Sequence, residues 1–133
     1  MRKFFALFAL VGVLFVAGCG SSGSSKAVSI DEFVPALTQP GVTIVDVRHP
    51  DEFAAGHVQG AINADIEGGD GVFDAAIAGL DKKGTYLVYC HSGRRAQIAA
   101  DAMTGAGFTN VTNLTGGGIQ DLSNAGVTIV AGP

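Results

Sequence analysis

Cys90-His91-Ser92-Gly93-Arg94-Arg95 gathers a thiol, an imidazole, a hydroxyl and two guanidinium groups into six consecutive residues. Such a set can hold an anion or activate a nucleophile. It follows the apolar run Tyr86-Leu87-Val88-Tyr89, bounded upstream by Gly84, which reads as a buried strand. Behind it, Ile98, Ala99, Ala102, Met103 and Ala106 recur at helical spacing, and Gly107 supplies a stop. The thiol is therefore expected at a strand-to-helix turn. A loop wound at the start of a helix aims several backbone N–H groups inward and adds the positive end of the helix dipole. With Arg94 and Arg95 contributing fixed charge, the sequence predicts a lowered thiol pKa and a nucleophilic Cys90.

A Cys at a strand end, an Arg five positions later and a helix behind it resemble the active-site loop of the single-domain rhodanese family of sulfurtransferases. Cysteine-dependent phosphatases place that Arg six positions after the Cys, where this chain has Ala96, and the shorter loop suits a persulfide sulfur over a phosphoryl group. More of the resemblance lies upstream. Asp46-Val47-Arg48, Asp51-Glu52-Phe53, Gly56-His57-Val58 and Gly60-Ala61-Ile62-Asn63-Ala64 are similar to the family's strand ending in Asp-x-Arg, short helix and Gly-His turn into another strand. Downstream, Leu114-Thr115-Gly116-Gly117 matches the family's Leu-x-Gly-Gly turn, but Asp121-Leu122 stands where a Trp is common and the chain has none. Atypical packing beside the pocket is expected there.

The resemblance spans most of residues 27–130 and implies roles. Cys90 and Arg95 would be catalytic, and His91, Ser92, Gly93 and Arg94 would form the loop that binds donor and persulfide. Thiolate Cys90 would take the outer sulfur of a donor such as thiosulfate, and a thiol or cyanide-like acceptor would remove it. Arg95 would orient the loop and bind the anionic donor through its fork, with Arg94 facing the entrance. Asp46 and Arg48, at a strand's carboxyl end, could reach the pocket, though bracing the loop is the favoured reading. For His57, and for His91 as a solvent-facing loop residue, a structural role is preferred. No cofactor and no metal is implied. The competing reading is a module that carries or senses a persulfide for a partner protein without turnover.

The elements that must position this loop alternate between strand and helix, which argues for an α/β domain with a mainly parallel central sheet and helices on both faces. The family resemblance supplies about five strands. Ser29 and Glu32 match a capping box ahead of the Ile30, Phe33, Val34, Leu37 stripe, which Pro35 should cut short. Val42 to Val47 reads as a β-branched strand after the Pro40-Gly41 turn. An acidic, glycine-rich loop from Asp65 to Asp74 leads into a second stripe of Val72, Phe73, Ala76, Ile77 and Leu80, with Asp70 as its expected cap. Val111 to Leu114 and Val127 to Val130 complete the strands.

With 133 residues, 47% of them hydrophobic, the chain has room for one domain with a real core, but part of that apolar content lies at the N-terminus. Arg2 and Lys3 precede an unbroken apolar stretch from Phe4 to Val16, short for a membrane span and suited to a signal-peptide core. Val16-Ala17-Gly18-Cys19 resembles the lipobox of bacterial lipoproteins, which implies cleavage after residue 18 and a lipid on Cys19. The expected organisation is a signal peptide over 1–18, a lipidated Cys and Gly/Ser linker over 19–26, and a rhodanese-like domain over 27–133. Cys90 would then be the one thiol left in an extracytoplasmic protein tethered to a bacterial membrane, on the periplasmic face or the cell surface. The mature chain would carry six basic residues against twelve acids, a net charge of −6, which argues against nucleic-acid binding.

Overall fold

The structure is a computed structural model that describes residues 23–133. Its elements run β1 (Lys26–Val28), α1 (Ile30–Ala36), β2 (Val42–Asp46), α2 (Pro50–Ala55), β3 (His57–Val58), β4 (Ile62–Asn63), α3 (Val72–Ile77), β5 (Thr85–Tyr89), α4 (Arg94–Gly105), β6 (Val111–Leu114), α5 (Ile119–Asn124) and β7 (Ile129–Val130). Five strands form a wholly parallel sheet in the order β1-β6-β5-β2-β4, and β3 and β7 make a small antiparallel ladder beside it. The α/β architecture expected from the sequence is the one observed.

The central strand β5 shows why two cores are needed. Side chains alternate across a strand, so Tyr86, Val88 and, beyond the strand end, Cys90 fall on one face, while Leu87 and Tyr89 fall on the other. The first face packs under α3 and α4 with Phe73, Ile77, Ala96, Ala99, Ala100 and Met103. The second packs against α1 and α5 through Phe33 and Leu122, both fully buried. A strand covered on both faces reads as a continuous apolar run, which is what Tyr86 to Tyr89 is.

Several local expectations are corrected. Ser29 begins α1, but its backbone carbonyl rather than its side chain receives the Glu32 and Phe33 N–H groups, so no capping box forms. Pro35 has no N–H to give, and the helix ends one residue on. Asp70 does not cap α3; Gly71 precedes it at φ +76°, and only Phe73 and Ile77 of that helix are buried while Val72 is 44% exposed. In α4 the buried residues are Ala96, Ala99, Ala100 and Met103, and Ile98 is 45% exposed. The helix starts directly out of the Cys90 loop, and its alanines let that side lie close on the sheet. Lys26 is in register with Thr112 as part of β1, and the Ser25 hydroxyl donates to Asp101, so the folded domain includes residues 25 and 26, which were expected in the linker. Cys19, the signal-like stretch 1–18 and linker residues 20–22 lie outside the described residues.

Candidate active site

Cys90 leaves the carboxyl end of β5, where a parallel sheet presents its ligand-binding edge, and it is 1% exposed. The chain then reverses within four residues. Gly93 achieves this at φ +100°, in the left-handed region that favours glycine, and its N–H donates to Cys90 Sγ at 3.0 Å. His91 and Ser92 are exposed. Of the predicted loop residues, the structure thus brings together the thiol and the Gly93 amide.

The turn after β6 is fitted against this loop. Ile119 N–H donates to the Cys90 carbonyl at 3.0 Å, and Gly118 N–H donates to Asp121 at 2.8 Å. A Cβ added at Gly118 would lie 1.9 Å from the His91 carbonyl oxygen, a distance no side chain can occupy. Asp121 and Leu122, standing where an aromatic residue was expected, do other work: Asp121 holds the turn and Leu122 fills the α1/α5 core.

Asp46, the last residue of β2, and Arg48, two residues beyond it, support the site. Asp46 is fully buried and accepts from Arg48 Nη2 at 2.6 Å, from Arg48 Nε at 3.0 and 3.2 Å, and from the Arg48 backbone N–H at 3.0 Å. Tyr89 hydroxyl donates to Asp46 at 2.7 Å and accepts from Val58 N–H at 2.9 Å, and Arg48 Nη2 also reaches the Gly56 carbonyl at 2.6 Å. Burial opposes charge on Arg48, but its hydrogen bonds and its attraction to Asp46 outweigh that and raise its pKa. Burial first, then the charge of Asp46, pushes the Tyr89 phenol far up. This cluster ties β2, β3 and β5 together one residue from the thiol. His57 is satisfied nearby, donating from Nδ1 to the Phe53 carbonyl at 2.8 Å and stacking on the Phe53 ring.

Arg95, expected to meet the donor through its fork, is engaged within the protein: Nη1 and Nη2 donate to the two carboxylate oxygens of Glu52 at 2.8 and 3.1 Å, and Nε lies 3.8 Å from Glu67. The hydrogen bonds from Arg95 draw the Glu52 carboxyl down to about 2 against the opposing effect of burial, with the His49 backbone N–H adding a further donor. Arg95 is correspondingly held charged, first by Glu52, with the Cys90 sulfur among the lesser contributors. Exposed Arg94 pairs with Glu67 at 2.8 Å, and Glu67 is itself positioned by Asp65 accepting from its N–H. Asp65 also receives Nδ1 of His49 at 2.8 Å, which raises the His49 pKa. Sequence reasoning missed Glu52, Glu67, His49 and Asp65. In sequence Glu52 is an ordinary acid in the first turn of α2, and nothing local indicates a partner 43 residues away.

A cleft of about 250 Å³ lies between α2 and α5, lined by Arg48, Glu52 and Gly56 and by Ile119, Gln120 and Ser123. Among the described residues, no group of three or more His, Cys, Asp or Glu side chains converges as a metal site would require.

A cysteine loop springing from the central strand of a five-stranded parallel sheet, backed by a helix and braced by a buried Asp-Arg pair, defines a rhodanese-type domain. Residues 29–120 match the family described as rhodanese-like domain, and the chain belongs to that family. Among its relatives, the thiosulfate sulfurtransferase GlpE of Pseudomonas entomophila is 39% identical over 82 residues, covering 62% of this chain and 72% of that protein. The thiosulfate sulfurtransferase PspE of Escherichia coli is 37% identical over 79 residues, 59% of this chain and 72% of that one. The rhodanese-like domain of the Alr3790 protein from Anabaena sp., solved by NMR, superposes with a TM-score of 0.68 at 26% identity, covering 79% of this chain and 78% of that one.

Proposed function

We propose that the protein is a thiosulfate sulfurtransferase-like enzyme that works through a persulfide on Cys90. The observation that carries this reading is the 3.0 Å hydrogen bond from Gly93 N–H to a thiol enclosed by a rhodanese loop. Cys90 Sγ attacks the outer sulfur of thiosulfate; an Sγ–S bond forms, the S–S bond of the donor breaks, and sulfite leaves with the electron pair. A thiol or cyanide-like acceptor then takes the sulfur and returns the thiolate. A backbone donor aimed at the reacting sulfur contributes on the order of 3 kcal/mol, by analogy with an oxyanion hole. Arg95 orients the loop from its base and offers cationic charge to the donor. The names of GlpE and PspE support thiosulfate as the donor class.

Mass spectrometry after incubation with thiosulfate should show an adduct of about 32 Da that is absent in Cys90→Ser, the mark of a covalent intermediate. No adduct on the wild-type protein would refute the reading. Continuous thiocyanate formation from thiosulfate and cyanide separates an enzyme from a persulfide carrier that loads once for a partner protein.

The same reading includes an extracytoplasmic location with a lipid on Cys19, supported by the Val16-Ala17-Gly18-Cys19 sequence and the apolar stretch before it. Two or three acyl chains, each methylene contributing ~0.8 kcal/mol, give stable anchoring. Cys19→Ser should move the protein from the membrane to the soluble fraction; an unchanged distribution would remove the lipid from the account.

A further inference from the structure

We propose that Glu52 is a displaceable latch on Arg95, an internal carboxylate that occupies the place of the donor's oxygens until a donor able to offer two oxygens takes it. The inference rests on the sulfur-transfer reading for the identity of the donor, and on geometry for the rest. Arg95 recognises oxyanions best through its paired Nη groups, and both are given to Glu52, with Nε turned toward Glu67. A guanidinium in that state offers an incoming anion charge but no vacant fork.

Three features make Glu52 movable where the neighbouring Asp46 is not. Its side chain is 31% exposed and its partner's 14%, so water can take over the bonds that are released. It lines the 250 Å³ cleft, which gives the carboxylate open space on the side away from Arg95. Arg48 lines the same cleft and already attracts Glu52 electrostatically, and its Nε and Nη2 are engaged while Nη1 has no partner among the described residues. A Glu52 that lets go of Arg95 therefore swings into a cleft that holds a second guanidinium. The exchange is one carboxylate for one oxyanion on Arg95, so the local charge balance is kept. It sets a threshold: a donor whose terminal sulfonate presents two oxygens in one plane can replace Glu52, and an uncharged sulfane donor gains nothing from its departure. Glu52 thus acts through Arg95 as a positioning residue that tunes specificity.

The test compares wild-type protein, Glu52→Gln, Glu52→Asp and, as a control for the general field, Asp51→Asn, an exposed acid on the same helix. Removing the latch should lower the thiosulfate KM by about fivefold, the scale of a part-exposed ion pair, with kcat changed far less. A purely structural Glu52 would instead lower kcat or leave KM unchanged, and either result overturns the proposal. A second measurement needs no sulfur chemistry: the rate at which Cys90 is alkylated by anionic iodoacetate relative to neutral iodoacetamide. That ratio should rise in Glu52→Gln and also in Glu52→Asp, which keeps the charge but is too short to grip both Nη groups. An equal rise in Asp51→Asn, or none in Glu52→Asp, would mean that only the field matters and would overturn the latch. If the wild-type protein forms no persulfide from thiosulfate, the sulfur-transfer reading fails, while the alkylation ratio still decides the latch. Should Glu52→Gln fail to fold, Glu52→Asp carries both measurements.

Discussion

Two carboxylate–guanidinium pairs accompany the cysteine loop, and they are built from the same chemistry to opposite ends. Asp46 and Arg48 are two residues apart, exposed by 0% and 6%, and every oxygen of the carboxylate is taken by Arg48 or Tyr89. Glu52 and Arg95 come from different helices and retain 31% and 14% exposure, and Glu52 lines an open cleft. Burying a pair makes removal of one partner costly because the other charge is stranded, whereas a pair in reach of water can exchange partners at little cost. The first pair is a strut and the second a contact that can be traded.

The comparison is most directly broken at Asp46. Asp46→Ala strands Arg48 and the Tyr89 hydroxyl, and urea unfolding at neutral pH should show a loss of about 3–5 kcal/mol. A loss below 1 kcal/mol would mean that this pair is no strut. Next comes Gly118→Ala, where a methyl group would be driven into the His91 carbonyl oxygen. We expect about 1–3 kcal/mol of destabilisation and a collapse of persulfide formation, because relief requires moving the loop that carries Cys90. Tyr89→Phe sharpens the comparison by removing one hydroxyl from the strut: about 1–3 kcal/mol in unfolding, with the thiosulfate KM unmoved.

The smallest effect belongs to Glu52 and shows in acid. Its folded-state pKa, about 2, lies below its ordinary value of 4.5, so its contribution is complete above the ordinary value and is lost as pH falls through about 2. Screening by water limits that contribution to about 1 kcal/mol at most. Glu52→Gln should flatten the stability–pH curve between pH 4.5 and about 2, and a curve parallel to wild type would show that the pair adds no stability.

The strut was legible in the sequence and the exchangeable pair was not, for a physical reason. Asp46 and Arg48 are close in sequence at a strand end, and local spacing places them together. Glu52 meets Arg95 only because β2 and β5 are neighbours in the sheet, which brings the starts of α2 and α4 side by side. The layout of strands and helices followed from apolar runs and turn residues, and the buried strand before Cys90 was clear. Helix orientation was harder. In α4, with alanine at 96, 99, 100 and 102, small side chains leave the buried side weakly marked, and Ile98 drew the expected stripe toward the side that faces water. Likewise Asp70 and Ser29 had the right residue type for caps, while backbone groups and Gly71 took those places.

The position of β1 has a consequence for how the chain acquires this shape. Its three residues are made early in synthesis, yet among the described residues they pair in the sheet only with β6, whose residues 111–114 come near the end. The amino-terminal strand can therefore dock only after the carboxyl-terminal half is in place, and the rim of β6 stays uncovered until then. Closure of so distant a contact slows folding, and an uncovered rim is a template for pairing with other chains. At three residues, with Lys26 at its outer end, β1 keeps that interval of exposure small in extent.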